Sequence, residues 1–248
     1  MEKIIKELSG YSGSKIYLME NDQRIFIRKI NNIERNFNQL KKLHELGFDV
    51  PVIYNKTSNV LDMEYINGLD IKTYFETHNL QDLISFICNL VDKLNTKSKI
   101  KDYSYVYKNR LAWLDKETAF SFSKKELIDK LPKELPQSYY HGDLTLENII
   151  YSNKKFYLID CMTGDYDSWV FDLCKLRQDF KCGWFIRNSK DFNYKNYLNI
   201  IDHKINKAFP IINNNSLLIL MLLRIYLYAQ NSEDKNFLLK EINDLWTS

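Results

Sequence analysis

The sequence predicts an α+β fold in two lobes, and three features of its 248 residues carry that prediction. Up to Gly68 the apolar residues fall mainly into short runs rich in β-branched and aromatic side chains, as strands require. Beyond Gly68 they recur mostly at helical spacing. With 45% hydrophobic residues, 17 Tyr and 14 Phe, the chain has ample material for a core and cannot be a disordered polypeptide. The lobe boundary is expected near residues 65 to 70. This gives a small antiparallel-sheet N-lobe with one helix over residues 1–66 and a larger, mainly helical C-lobe over residues 67–248.

Each element has its own signal. Ile16 to Leu18 and Ile25 to Ile30 flank the polar turn Glu20-Asn21-Asp22-Gln23 and read as a hairpin. From Ile33 to Leu46 an apolar residue at every third position (Phe37, Leu40, Leu43, Leu46) lays one stripe along a helix, which Gly47 stops. Pro51 to Tyr54 and Val60 to Tyr65 are two further strands. Leu83, Ile84, Ile87, Leu90, Val91 and Leu94 define a core helix over about 80 to 96. Ile149 to Tyr151 and Phe156 to Ile159 enclose a Ser-Asn-Lys-Lys turn, a second hairpin, and the chain from Ser168 onward reads mostly as helix.

Several function classes are disfavoured at once. Thirty-five Lys plus Arg against 32 Asp plus Glu give a net charge of only +3, mixed along the chain, without the basic stripe of a nucleic-acid binder. The four cysteines fit neither a metal knuckle nor a disulfide framework, and they read as reduced thiols in a cytoplasmic protein. No secretory signal is visible, and the greasiest run, Leu217 to Leu223, is a buried helix too short to cross a bilayer. His44, His78 and His203 are isolated and form no metal cluster.

The informative segment is His141-Gly142-Asp143-Leu144-Thr145-Leu146-Glu147-Asn148, followed beyond the hairpin by Asp160. Phosphoryl transfer from a nucleotide needs a carboxylate to take the proton of the attacking hydroxyl and oxygen ligands for Mg²⁺. Asp143 and Asn148, five positions apart on one loop, with Asp160 after a hairpin, have the order and spacing of such a base and its two metal ligands. Gly, Asp and Asn also form ordinary turns, so the inference rests on the whole set.

On these residues the chain resembles the aminoglycoside phosphotransferase and choline kinase group, small-molecule kinases with a protein-kinase-like bilobal fold. That resemblance implies Asp143 as catalytic base, His141 as a brace of its loop, Asn148 and Asp160 as metal ligands, and Asp172 as the further acid, which can cap its helix or brace the loop. It also implies that the small-residue loop with Gly10, Ser12, Gly13 and Ser14 approaches the nucleotide phosphates. In Ile25-Phe26-Ile27-Arg28, the resemblance makes Arg28 the phosphate-holding cation, with Lys29 on the opposite strand face. Where the family helix offers a Glu to that cation, the register here offers Gln39, with Glu34 as the alternative after a shift of one turn. Glu64 and Ile66 correspond to the hinge whose backbone meets the purine.

The expected activity is transfer of the γ-phosphoryl group of ATP, or alternatively GTP, bound in the cleft with Mg²⁺, to a hydroxyl of a small molecule. Mixed charge in the C-terminal segment makes a neutral or acidic acceptor, such as a sugar or sugar acid, at least as plausible as an aminoglycoside or choline. In Asp143-Leu144-Thr145-Leu146-Glu147-Asn148 and Ser168-Trp169 the chain also resembles compact kinase-like proteins of bacterial surface-polysaccharide pathways, which makes a sugar or related metabolite of that synthesis the preferred expectation and an aminoglycoside or choline-like acceptor the alternative. Gln39 and the sparse glycine loop leave open a pseudokinase acting through a protein partner. A nucleic-acid partner and a membrane span are not expected, and Arg224 either faces the acceptor pocket or snorkels outward.

Overall fold

A computed structural model describes residues 2–8, 14–189 and 192–248. In chain order its elements are β1 (Lys3–Leu8), β2 (Lys15–Glu20), β3 (Ile25–Ile30), α1 (Ile33–Glu45), β4 (Ile53–Lys56), β5 (Val60–Glu64), α2 (Ile71–Thr77) and α3 (Leu80–Leu94). Next come β6 (Lys99–Asp102), α4 (Ser104–Arg110), α5 (Lys124–Lys130), β7 (Glu134–Gln137), β8 (Ile149–Ser152) and β9 (Lys155–Leu158). Four helices finish the chain: α6 (Trp169–Phe180), α7 (Phe192–Ala208), α8 (Asn215–Tyr226) and α9 (Ser232–Thr247). Two compact units result, Met1–Thr77 with Glu147–Gly164, and His78–Leu146 with Asp165–Ser248.

The first unit is built on a five-stranded antiparallel sheet in the order β1-β2-β3-β5-β4. The sequence pattern starts this sheet at Ile16, and the structure adds β1 at its edge. Lys3 to Leu8 lacks period-two alternation, and Ile4 and Ile5 are both exposed, so backbone pairing to β2, not burial, holds the strand. Helix α1 buries Ile33, Leu40 and Leu43 and packs on β5.

The β8–β9 hairpin turns through Asn153 and Lys154, both at positive φ (49° and 62°), the backbone of a type I′ turn. It joins this unit through paired Leu69 and Tyr151 main chains, with N···O distances of 2.8 and 2.9 Å. The Tyr74 ring packs 4.9 Å from Tyr151 and 5.2 Å from Phe156. Gly68 permits the approach, since a Cβ there would sit 2.5 Å from the Tyr151 carbonyl oxygen.

In the second unit every residue of α6 is buried, and α7 and α8 pack along it. Yet α6 carries Asp172, Lys175, Arg177 and Asp179, which at such burial must be paired. Arg177 bonds Asp202 and the Ile212 carbonyl; the other three serve the site described below. Residues Ser216 to Leu223 of α8 are buried, as the apolar run predicts. Strands β6 and β7 pair across the intervening helices α4 and α5, a long-range contact that no local pattern announces. All four cysteines are free, and among the described residues no helix is long and apolar enough to cross a membrane.

Candidate active site

In the second unit, the loop from His141 to Leu146 is held by one face of α6. The Asp172 carboxylate accepts the backbone N–H groups of His141 (2.5 Å) and Gly142 (2.8 Å), and the Asp179 carboxylate accepts that of Leu146 (2.8 Å). Between them Lys175 places its ammonium 2.9 Å from Asp143 Oδ1. Positions 172, 175 and 179 are spaced by three and four residues, so all three side chains leave the helix on one side. Gly142 has φ = 91°, a backbone that other residues adopt only under strain. His141 is fully buried, and its Nδ1 accepts the N–H of Asp143 at 3.3 Å. Ser168, not Asp172, caps α6, by accepting the N–H of Val170.

This loop is a charge-tuned environment. Burial alone would push the Asp143 carboxyl up, but Lys175, aided by Arg224 and His141, holds it below the ordinary carboxylate range. At neutral pH it is therefore ionised and able to accept a proton or hydrogen bond from a hydroxyl. Burial pushes Asp172 up to about 7, against the two backbone N–H groups that favour its charged form. Arg224 on α8 reaches back to the same loop: its Nη2 lies 3.4 Å from the Gly142 carbonyl oxygen and its guanidinium sits over the Tyr166 ring at 4.9 Å. The outward snorkel considered from sequence is not what α8 adopts.

In the first unit the hydrogen bond from Ile159 N–H to the Asn148 carbonyl (3.0 Å) brings Asn148 opposite the residue before Asp160. Asp160 has φ = 52°, an uncommon backbone for a residue with a side chain and one that tends to mark functional positions. Its Oδ1 lies 2.7 Å from the ammonium of Lys29, which is 3% exposed, and 3.3 Å from Asn36 Nδ2 of α1. Asn36 also donates to the Cys161 carbonyl at 2.8 Å.

The cation that meets Asp160 is thus Lys29, where the family resemblance implied Arg28 as the phosphate-holding cation. The reason is strand register: β3 and β5 set Arg28 directly opposite Asp62, and its guanidinium bonds both Asp62 oxygens (2.7 and 2.8 Å) and Glu2 (2.7 Å). Those two carboxylates raise the Arg28 pKa further above its ordinary value. Glu34 pairs with Lys56 at 2.6 Å, so it is not Arg28's partner. Gln39 is buried on α1. Ser14 Oγ donates to the Asn31 carbonyl at 3.0 Å, whereas Gly10, Ser12 and Gly13 lie outside the described residues. At the end of β5 the Glu64 N–H is engaged by the Val52 carbonyl at 2.8 Å, and Ile66 is buried.

Sequence reasoning passed over Lys29 as a site residue, took Lys175 only as part of the mixed charge of the C-terminal segment, and passed over Asn36 altogether. Lys175 had at most a weak signal, its spacing of three and four from Asp172 and Asp179 on a helix that also carries Arg177 and Gln178, while the pairing that takes Arg28 away from Asp160 is strand register, which local pattern does not show. Asn36 had none.

As donors, Asn148 and Asp160 offer hard oxygen atoms, and among the described residues no cluster of three or more His, Cys, Asp or Glu side chains could hold an ion alone. Two oxygen donors suit Mg²⁺, which keeps several waters and is completed by phosphate oxygens.

Solved structures share this fold. The chain aligns with aminoglycoside phosphotransferase APH(4)-Ia, in a thermostable mutant, at TM-score 0.70 and 12% identity, covering 98% of this chain and 94% of that one. A ternary complex of such a mutant with ADP and hygromycin B aligns at TM-score 0.67 and 11% identity, over 97% and 92% of the two chains. A protein assigned as a fructosamine-3-kinase from Haemophilus somnus 129PT aligns at TM-score 0.64 and 16% identity, over 99% and 92%. No match to a curated protein sequence was found. A model of the phosphotransferase enzyme family (APH) matches residues 5–187, and with a match of that extent this chain belongs to the family.

Proposed function

We propose that this phosphotransferase moves the γ-phosphoryl group of ATP to a hydroxyl of a small molecule, with a sugar or a related metabolite of bacterial surface-polysaccharide synthesis as the preferred acceptor. The observation that carries the reading is the state of Asp143: an ionised carboxylate, oriented by Lys175, on a loop whose backbone is tied to Asp172 and Asp179. Such a group orients the acceptor hydroxyl and takes its proton as the oxygen bonds to phosphorus.

Asn148 and Asp160 would hold Mg²⁺, whose contribution is to neutralise the phosphate oxygens. Lys29, buried beside Asp160, is the phosphate-binding cation in this reading, and Arg28 supports the strand that carries it. Gly10, Ser12, Gly13 and Ser14 remain candidates for backbone contacts to the phosphates, and Glu64 and Ile66 for the purine. His141 shapes the loop without touching the reactants.

The test is ADP release from ATP and Mg²⁺ over a panel of sugars, sugar acids, amino alcohols and aminoglycosides, with nucleotide-induced thermal stabilisation read alongside. Asp143→Asn should lower acceptor-dependent turnover about 10²- to 10⁴-fold and keep the nucleotide response. Asp160→Asn should abolish the Mg²⁺-dependent part of that response. Full turnover in both variants sinks the reading; nucleotide binding with no acceptor-dependent release at all moves it to a pseudokinase.

A further inference from the structure

We propose that Arg224 and Tyr166 form an anion-binding subsite beside Asp143, taking a carboxylate or phosphate group carried by the acceptor. This deepens the kinase reading and rests on it for the role of Asp143.

The second unit contains four arginines. Three are matched with carboxylates: Arg110 with Asp165 (2.8 Å), Arg177 with Asp202 (3.2 Å) and Arg187 with Asp234 (2.7 Å). Arg224, half-buried at the end of the apolar run of α8, has no carboxylate within ion-pair distance among the described residues. Its contacts are the Gly142 carbonyl at 3.4 Å, the Met221 sulfur at 3.4 Å and the Tyr166 ring. None of these contacts carries a negative charge; Asp143 and Asp172 act on the guanidinium only through space, and Asp143 is already paired with Lys175, so an anion in direct contact would stabilise it further.

The second observation concerns the ring beneath it. Tyr166 is 8% exposed, and its hydroxyl is buried without a hydrogen-bond partner among the described residues. Buried hydroxyls are ordinarily satisfied, so an orphan calls for a missing partner. An arginine fork without an ion-pair partner, lying over the ring of a tyrosine whose O–H has no acceptor, is complementary to a carboxylate or phosphate.

Placement argues that the anion belongs to the acceptor. Arg224 touches the residue next to Asp143, so a molecule whose hydroxyl sits on Asp143 brings its neighbouring substituents toward the guanidinium. With Lys175 already on Asp143, an acceptor bearing amines would meet two cations there.

Thermal stabilisation of the full chain, at fixed ionic strength and without nucleotide, tests this with glucuronate, glucose 1-phosphate, glucose and glucosamine as probes. Glucuronate or glucose 1-phosphate, according to whether the subsite takes carboxylate or phosphate, should stabilise at concentrations at least tenfold below glucose, and glucosamine should not stabilise at all. Arg224→Met should raise the half-saturating concentration of the anionic probe at least tenfold, Arg224→Lys should recover part of it, and Tyr166→Phe should cost about threefold. MgATP stabilisation should be unchanged in all three variants. The proposal is overturned if both anionic probes are silent, if glucosamine equals them, if Arg224→Met responds as wild type, or if that variant loses the MgATP response instead. Failure of the kinase reading looks different: the wild type then ignores MgATP whatever the sugar probes do.

Discussion

The two units each contain a lysine–aspartate pair at a candidate catalytic position, and the pairs differ in how firmly the aspartate is held. In the first, Lys29 is buried while the Asp160 side chain is 37% exposed and sits on a strained backbone. In the second, Lys175 leaves a fully buried helix to meet Asp143, 27% exposed, on a loop tied down by two further carboxylates of that helix. An exposed carboxylate can exchange its ammonium partner for a metal ion, whereas one locked by neighbouring charges keeps its position and its ionisation. The same chemical pair therefore suits a ligand in one place and a base in the other.

The comparison breaks most sharply at β3. Lys29→Met should lower kcat/KM for ATP about 10²-fold, the scale expected when a charge-stabilising donor is lost. Arg28→Met should change it by less than about threefold while costing about 1–3 kcal/mol of stability, because Asp62 loses its charged partner. Steady-state kinetics and chemical denaturation separate the two, and the reverse ranking would restore Arg28 as the phosphate-binding cation.

In the second unit the informative variable is pH. The folded-state pKa of Asp143 is depressed, so its stabilising contribution is present above the unfolded value near 3.9 and is lost as pH falls through the lower folded value. Lys175→Met leaves burial unopposed by its main counter-charge, and the acid limb of the pH–rate profile should move up by about 1–2 units. An unmoved limb would mean that Lys175 does not set the ionisation of the base.

Asp172 has the opposite sign. Its folded pKa is raised to about 7, so its contribution is fully present below the unfolded value near 3.9 and is lost as pH rises through 7. Relative to Asp172→Asn, the wild type should lose up to about 1.4 kcal/mol for each pH unit crossed in that window. Melting curves of both proteins between pH 4 and 8 read this directly, and parallel curves would refute it. The smallest effect is expected at Gly142→Ala, where positive φ costs about 1–2 kcal/mol of stability, visible as a lowered denaturation midpoint.

Much of the fold was legible from local patterns. The β2–β3 hairpin, α1, β4, β5, α3, the β8–β9 hairpin and the buried run of α8 all stand within a few residues of where periodicity and turn residues put them. Elements whose stability comes from distant partners were not visible: β1 has almost no buried face, and β6 finds β7 across about thirty residues of intervening chain. At the site, Asp143, Asn148 and Asp160 stood out because their order and spacing are local, whereas Asn36 and Lys175 did not, because their partners lie 124 and 32 residues away in sequence.

The sequence by itself determined the α+β class, the His141–Asn148 motif with its glycine, and the class of chemistry, since periodicity and close spacing are properties of neighbouring residues. Only the tertiary structure decided that Lys29 rather than Arg28 faces Asp160, that Asp172 braces a loop instead of capping a helix, and that Arg224 turns toward Gly142 with no carboxylate to meet it. A charged side chain is assigned by its counter-charge, and counter-charges are brought together by strand register and helix packing across long stretches of chain.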